Sequence, residues 1–344
     1  MAEAPPWFWA AIETVPKSAR LTVEGCDINY LHWSEPGKPG LLFVHGHNAH
    51  AHWWDFIAPA FKDSYQVGAL DLSGMGDSDH RDSYNADTYA KEIIAVADAL
   101  QMPTDTILVA HSFGGIMALR TMAVAAGRFK GLVLVDSGVR HPDEIRDPDR
   151  DIPRLGRPKV YPTREVAMSR FRLQPPQQCA NQYIVDHIAR HSVEFDDEGW
   201  LWKFDEELSA RMVKGTDSAA DLQAVNARLA LIYGAQSESF SAQSAEYMQH
   251  LNPALEVTRL EDAQHHLFLD QPLAFIESLQ AVLHVELALR RVLDDVGLLG
   301  HFDSNGDLVF AGNAGTGFSG ETLADMARRL KPLERKTSPF LTKP

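Results

Sequence analysis

The segment that most constrains this chain is the run of seven residues from Val109 to Gly115. The stretch that enters it, Thr106 to Ala110, is apolar and β-branched, too short for a helix but suited to a strand buried on both faces. Ile116 to Ala126 then predicts a helix. Ser112 lies between the two with small residues on either side, which fits the pattern Gly-x-Ser-x-Gly with Ala110 in the first glycine position. We therefore expect a sharp turn that presents a serine.

This turn allows two interpretations of Ser112. As a nucleophile, it would lie in a cleft with the N–H of Phe113 at a helix N-terminus, facing a developing oxyanion. As a structural residue, it would simply cap the helix beside a glycine-rich turn. The motif alone does not separate these interpretations, so its partner residues have to decide.

The rest of the chain alternates buried strands with helices, which predicts an α/β fold with a doubly wound, mostly parallel sheet. An antiparallel hairpin around Gly25 comes first, and a long helix from about Leu273 to Leu293 ends the pattern. The predicted buried strands are Leu41 to Val44, Gln66 to Leu70, Thr106 to Ala110, Gly131 to Val135, Leu229 to Tyr233 and Leu255 to Leu260.

Residues 138–222 interrupt this alternation and are too many for a simple loop. We interpret them as a mainly helical cap, or lid, inserted into a core formed by residues 1–137 and 223–295. The cap contains an alternating stretch from Val193 to Phe204 that includes Trp200 and Trp202, our candidate substrate-binding residues. Together with Phe171, these rings predict an apolar pocket.

Charge and cysteine content narrow the partners and the location. With 32 basic and 47 acidic residues, the net charge of −15 argues against nucleic acid and anionic membranes as general partners. The two cysteines suggest neither a disulfide framework nor a metal site, which favours a reducing cytoplasm. Without an apolar run of about 18 residues or a basic N-terminal region, we expect no membrane span and no signal peptide. The sequence does not indicate an oligomeric state.

Partners for Ser112 appear where other predicted strands end. Glu238 follows the strand that ends at Tyr233, and His265 follows the strand that ends at Leu260. His47 lies in the loop after the first parallel strand, where its N–H is a candidate second oxyanion donor. Because the carboxyl ends of parallel strands meet at one edge of the sheet, these loops are expected to converge. The order serine, acid, histidine is the one used in this architecture.

Several of these motifs together resemble the α/β-hydrolase family over about residues 20–290. The resemblance rests on the serine turn, the cap insertion, and three further motifs: His45-Gly46-His47, Asp71-Leu72-Ser73-Gly74-Met75-Gly76-Asp77-Ser78, and His265 five residues before Asp270-Gln271-Pro272. It implies Ser112 as nucleophile, His265 as general base and then acid, and N–H donors from His47 and Phe113. The departures are Ala110, Gln264 in place of the usual glycine before the histidine, and Glu238 where many relatives carry Asp.

Some assignments have competitors. Asp136, at the end of the strand Gly131 to Val135, is an alternative acid, as in relatives that place it there, although we favour Glu238. His266 is an alternative base, but the spacing to Asp270 favours His265. A group of four histidines close together in the sequence could suggest a metal site: His45, His47, His50 and His52. No matching carboxylates are evident, so we predict neither metal nor cofactor.

A serine at the turn points away from epoxide hydrolases and haloalkane dehalogenases, which attack carbon with a carboxylate. The resemblance favours acyl transfer to water, so we expect a serine esterase (a carboxylesterase) acting on a small or medium ester or lactone. Two alternatives stay open. One is a carbon–carbon bond hydrolase that uses the same triad on a diketone, and the other is a ligand-binding receptor built on the same fold.

Residues 296–344 form a C-terminal extension outside this pattern. His301 to Phe310 predicts a hairpin around Asn305-Gly306, and Gly315 to Gly320 spells Gly-x-Gly-x-x-Gly with too few residues after it for a dinucleotide fold. The run from Leu308 to Phe318 resembles the start of the OB-fold domain of bacterial ATP-dependent DNA ligases. Such a fold needs five strands, and no ligase lysine motif precedes it. We expect an appended fragment without ligase activity.

Overall fold

An eight-stranded sheet forms the centre of the molecule. The computed structural model describes residues 4–144, 159–213, 217–295, 300–302 and 308–310. The sheet has the order β1-β2-β4-β3-β5-β6-β9-β10. Its strands are β1 (Lys17–Val23), β2 (Cys26–His32), β3 (Gly40–Val44), β4 (Gln66–Leu70), β5 (Ile107–His111), β6 (Gly131–Val135), β9 (Arg228–Gly234) and β10 (Glu256–Leu260).

Strand direction follows the prediction of a mostly parallel sheet. β1 pairs antiparallel with β2, and β2 pairs antiparallel with β4. The six strands from β4 to β10 in the sheet order, β4-β3-β5-β6-β9-β10, run parallel to one another. The order reverses around β3, which lies between β4 and β5. Loops after β3, β5, β6, β9 and β10 therefore emerge at one edge, where ligands bind in such sheets.

Alternate side chains of the parallel strands supply two core layers. Leu42 and Val44 face one layer, and Leu41 and Phe43 face the other. The first layer is covered by α2 (Ala86–Ala99), α3 (Phe113–Val124), α7 (Ser218–Ala224) and α8 (Ala242–Leu251), and the second by α1 (Pro6–Ile12), α5 (Gln182–His191), α9 (Leu267–Asp270) and α10 (Pro272–Asp295). The chain thus has the predicted α/β fold with helices on both faces.

The segment predicted as a cap holds elements of its own between β6 and β9. They are α4 (Arg164–Ser169), α5, the hairpin of β7 (Val193–Asp196) and β8 (Gly199–Trp202), α6 (Leu208–Arg211) and α7. The hairpin turns between Asp196 and Gly199, within the alternating stretch from Val193 to Phe204. The Asp221 carboxylate of α7 lies 3.0 Å from Nη1 of Arg120 on α3, so this last helix packs on the core.

The C-terminal extension is described only in part. β11 (Gly300–Phe302) pairs antiparallel with β12 (Leu308–Phe310), in line with the predicted hairpin. Asn305-Gly306 and the glycine-rich segment from Gly315 lie outside the described residues. Among the helices that the structure describes, none combines the length and apolarity needed to cross a bilayer.

Candidate active site

Ser112 occupies the turn between β5 and α3 in a backbone conformation that is unfavourable for a residue with a Cβ, with φ 51° and ψ −122°. Two hydrogen bonds hold it there. Its N–H donates to the carbonyl of Val135 at 3.1 Å, and Ser137 Oγ donates to the carbonyl of Ser112 at 2.5 Å. The predicted sharp turn is therefore present, and neighbouring β6 helps to hold it.

The small residues beside the serine are required by close packing. A Cβ on Gly114 would overlap the carbonyl oxygen of His45, and a Cβ on Gly115 would overlap the hydroxyl of Ser137. Ala110, in the position of the first glycine of the motif, is fully buried in the core. The motif thus reflects contacts between α3 and the loops after β3 and β6.

His265 joins the serine to a buried carboxylate. Its Nε2 lies 2.9 Å from Ser112 Oγ, and its Nδ1 lies 2.6 Å from Asp136 Oδ2. The imidazole is 6 % exposed and the Asp136 side chain is fully buried. With Nδ1–H donating to the carboxylate, Nε2 is free to accept the serine proton. Of the two candidate histidines, the structure places His265 rather than His266 at Ser112.

The carboxylate that contacts His265 is Asp136, not Glu238, which the sequence analysis favoured. Asp136 follows β6, and its Oδ1 accepts the N–H of Gly234 at 2.9 Å. Its Oδ2 accepts the Ser237 hydroxyl at 2.6 Å in addition to the His265 ring. Glu238, one residue further along, is exposed and lines a surface cleft with Arg140 and other residues. The loop after β9 therefore contributes a donor, Ser237, to an acid supplied by β6.

The loop after β3 lies directly against the serine turn. A Cβ added to Gly46 would stand 3.3 Å from Ser112 Cβ, and the rings of His47 and Phe113 are 5.6 Å apart. His45 fixes this loop, because its Nδ1–H donates to the Gly46 carbonyl at 2.7 Å and its Nε2 accepts the N–H of Leu72 at 3.0 Å. The structure thus brings both predicted oxyanion residues, His47 and Phe113, beside Ser112.

Buried histidines surround the pair of His265 and Ser112. Burial lowers the pKa of His47 to about 4 and keeps the pKa of His111 and His266 well below the usual value. The rings of His111 and His266 lie 4.8 and 4.9 Å from that of His265. These neutral rings exclude water from His265 without adding positive charge next to it.

The cap reaches the site through polar and aromatic contacts. Ser209 Oγ lies 3.3 Å from Nε2 of His47. Four rings form a chain toward the site, with centroids 6.0 Å apart for Trp202 and Phe171, 6.4 Å for Phe171 and Trp53, and 5.3 Å for Trp53 and His266.

The two tryptophans predicted to bind substrate have different surroundings. Trp202 belongs to the chain of rings that leads to His266. Trp200 packs on Phe195, with centroids 5.7 Å apart, and lies under the guanidinium of Arg164. The structure thus connects Trp202, rather than Trp200, to the neighbourhood of Ser112.

Residues that the sequence analysis missed support this site. Ser137 binds the serine turn and Ser237 binds Asp136, but neither belongs to a recognisable motif.

Within the described part of the chain, two groups of side chains have the composition of a metal site: His111 with His265 and His266, and His52 with Asp55 and His191. The second group contains a carboxylate, Asp55, that the sequence analysis overlooked although it lies three residues after His52. The third member, His191, comes from the cap and is far from both along the chain.

Comparison with known proteins is consistent with this geometry. A model described as "Alpha/beta hydrolase family" matches residues 41–278, and one described as "ATP dependent DNA ligase C terminal region" matches residues 295–344. The second match agrees with the resemblance noted for the extension, most of which lies outside the described residues.

Individual relatives are similar at low identity. An uncharacterized hydrolase of Bacillus subtilis is 32% identical over 37% of this chain and 46% of its own length, and mouse epoxide hydrolase 4 is 34% identical over 29% of this chain and 28% of its own. The chain therefore spans less than half of these relatives. An esterase of Mycobacterium tuberculosis is 25% identical over 76% of this chain and 88% of its own length.

Solved structures share the fold. A thioesterase domain from the curacin biosynthetic pathway superimposes with a TM-score of 0.64 at 22% identity, covering 76% of this chain and 98% of that domain. E-2-(acetamidomethylene)succinate hydrolase superimposes with a TM-score of 0.67 at 18% identity, covering 78% of this chain and 99% of that one. At these identities the likeness concerns the fold alone.

Proposed function

The chain belongs to the alpha/beta hydrolase family, and we propose that within it the protein is a serine esterase for small or medium carboxylic esters or lactones. The observation that carries this proposal is the hydrogen-bonded series Ser112, His265 and Asp136, with distances of 2.9 and 2.6 Å. A serine hydroxyl, a neutral imidazole and a buried carboxylate in this order form an activated nucleophile.

In the proposed reaction, Ser112 Oγ attacks the substrate carbonyl while His265 Nε2 takes its proton. The tetrahedral intermediate collapses, the carbonyl carbon loses its bond to the alcohol oxygen, and His265 returns the proton to that oxygen. A water molecule then attacks the acyl-enzyme, with His265 again acting as base, and the acid product leaves. Asp136 holds the imidazole in the required tautomer and stabilises its charged form.

The N–H groups of Phe113 and His47 are the proposed oxyanion donors. Phe113 is the first residue of α3, where backbone N–H groups lack partners within the helix. Gly46 packs against Ser112, which keeps the following residue, His47, next to the reacting atoms. Loss of one such donor in a comparable site lowers kcat by about 10²–10³.

The nucleophile distinguishes between the activities of the relatives. Epoxide opening in this fold uses an aspartate, whereas the residue at this turn is Ser112. A serine instead favours acyl transfer, which agrees with the esterase name of the Mycobacterium tuberculosis relative. We propose that Trp202 and Phe171 contribute an apolar wall on the cap side of the substrate.

Replacement of the nucleophile provides the test. We expect Ser112→Ala to lower turnover of a short-chain p-nitrophenyl ester by more than about 10³-fold and to abolish labelling by a fluorophosphonate. The matched control is Ser169→Ala, in the exposed α4 helix of the cap, which should leave both signals unchanged. Circular dichroism establishes that both variants fold. Full turnover in Ser112→Ala would overturn the assignment.

The same assay separates the alternative activities. A panel of esters and lactones that differ in acyl and alcohol size defines the substrate class, and a diketone in the panel tests carbon–carbon bond hydrolysis by the same triad. If the chain were a ligand-binding receptor, the fluorophosphonate would fail to label Ser112 and no ester would be turned over.

We propose the following roles for the parts of the chain, together with a location and a partner. Residues 1–137 and 223–295 form the catalytic core and residues 138–222 the cap. Residues 296–344 supply no ligase activity. A cytoplasmic location agrees with the two free cysteines, and a small-molecule partner agrees with a net charge of −15 that disfavours nucleic acid.

A further inference from the structure

Three histidines and one carboxylate meet where the cap joins the core. His52 and Asp55 come from the core loop after β3, whereas His187 and His191 come one helical turn apart from the last part of α5 in the cap. This histidine cluster, defined as His52, Asp55, His187 and His191, has no part in the series of hydrogen bonds through Ser112, His265 and Asp136.

Asp55 is the centre of the cluster and is incompletely paired. Its Oδ2 accepts two hydrogen bonds, from His52 Nδ1 at 2.9 Å and from His187 Nε2 at 2.8 Å. No donor in the described part of the chain reaches its Oδ1, although the residue is only 5 % exposed. A buried carboxylate oxygen without a donor is costly, so this atom is suited to a ligand that supplies positive charge.

The ligand atoms of the cluster lie near one another, but the stacked His52 and His191 rings must turn before their nitrogens point at a shared ion. His52 and His191 stack with their centroids 4.0 Å apart and an interplanar angle of 23°. One ligand atom from each of His52, Asp55 and His191 lies within 4.8 Å of the others. In a tetrahedral zinc site with bonds of about 2.0–2.1 Å, such atoms stand roughly 3.3 Å apart, so rotation of the side chains closes the remaining gap.

We propose that His52, Asp55 and His191 bind a divalent transition-metal cation of the zinc class, which fastens cap helix α5 to the core. Two imidazoles and one carboxylate, with a water in the fourth position, are a donor set that zinc accepts. His187 is a positioning residue, because its Nε2–H donates to Asp55 Oδ2 at 2.8 Å and so orients the carboxylate. The proposal does not depend on the esterase activity.

Electrostatics favour a cation over a bare cluster. The buried Asp55 carboxylate is the acidic group of the histidine cluster, so its charge favours a cation over an anion there. A divalent cation would also pair with the Asp55 carboxylate and satisfy Oδ1. The sequence alone hid this arrangement because α5 lies more than 130 residues beyond His52 along the chain.

The test measures zinc binding to the full chain without a histidine tag, after removal of metal with a chelator. Isothermal titration with Zn²⁺ should show tight binding, and Co²⁺ should give the visible bands of a tetrahedral site. We expect His191→Phe, which keeps an aromatic ring against His52 but removes the nitrogens, to weaken binding by more than about tenfold. Zinc should raise the Tm of the wild type and not that of the variant.

Controls locate the ion. His250→Phe changes an exposed histidine on α8 and should bind zinc like the wild type. If His191→Phe fails to fold, Asp55→Asn carries the same expectation, because its amide oxygen still accepts hydrogen bonds. Wild-type affinity in folded His191→Phe, or a failure of the wild type to bind zinc, would overturn the proposal. So would loss of binding in His266→Phe alone, which would place the ion beside Ser112.

Discussion

Asp136 receives its three hydrogen bonds from two segments of the chain. Gly234 at the end of β9 and Ser237 in the loop after it donate two of them, and His265 in the loop after β10 donates the third. The carboxylate itself stands at the end of β6 with a positive φ of 45°. These donors hold the carboxylate in one orientation, and it in turn fixes the His265 ring.

Exchange of this acid for its amide tests that role. We expect Asp136→Asn to lower kcat for a p-nitrophenyl ester by about 10⁴, because an amide no longer enforces the imidazole tautomer that accepts the Ser112 proton. Glu238→Gln is the matched control and should stay within about twofold, because Glu238 is exposed and lies outside the network. A larger loss of kcat in Glu238→Gln than in Asp136→Asn would identify Glu238 as the acid instead.

The choice between Asp136 and Glu238 depends on three-dimensional contacts that the sequence does not reveal. Asp136 and Glu238 both follow strands whose ends point to the same edge, so motif order allows either. The decision depends on distances of a few ångströms, namely that Ser237 turns toward Asp136 and leaves Glu238 at the surface. The position of His265 beside Ser112 was easier to predict, since the spacing from His265 to Asp270 is local.

At the scale of elements, the serine turn is held by packing rather than by helix propensity. Helix α3 begins at Phe113, three residues earlier than its sequence predicts, because Gly114 and Gly115 are poor helix formers that occupy its first turn. They are needed there for the close approach to His45 and Ser137. The buried strands, in contrast, were predicted to within about two residues, because short β-branched runs have few other solutions.

The tight fit between α3 and the loop after β3 leads to a stability prediction. In Gly114→Ala, the added methyl group would overlap the His45 carbonyl, so either the turn or the loop has to move. We expect a loss of about 1–3 kcal/mol in the free energy of unfolding, together with lower kcat, because His47 moves with the loop. Urea unfolding measures the free energy of unfolding. Val124→Ala, at an exposed position of the same helix, should change it by less than about 0.5 kcal/mol. Equal stability of the two variants would contradict this picture of the turn.

At the scale of the whole molecule, the cap is the part that sequence patterns describe least. A mainly helical insertion was predicted there, but its contacts with the core link residues more than 100 positions apart, such as His50 with Ser192 and Asn48 with Gln174. Local periodicity carries no information on such pairs. The core sheet is more predictable because consecutive strands and helices are also neighbours in space.

A set of buried neutral histidines gives the molecule its expected pH dependence. Burial lowers the pKa of His47 to about 4 and that of His191 to about 3, and it lowers the pKa of His50, His111 and His266. The unfolded chain, with ordinary values near 6.5, therefore binds more protons than the folded chain at acid pH. His52 acts in the opposite sense. Burial by itself would lower its pKa, but the hydrogen bond to Asp55 and the negative charges of Asp55, Asp71 and Asp77 together raise it.

More histidines have a lowered pKa than a raised one. We therefore expect the free energy of unfolding to be greatest above about pH 6.5 and to fall as the pH drops from 6.5 toward 4. Each pKa unit corresponds to about 1.4 kcal/mol, so several such histidines produce a loss of a few kcal/mol. Urea unfolding at a series of pH values, with a chelator present, measures this slope. His191→Phe should flatten it by removing one neutral buried ring, whereas His250→Phe, at an exposed site, should leave it unchanged. Stability that stayed constant or rose between pH 6.5 and 5 would show that these histidines are charged in the folded protein.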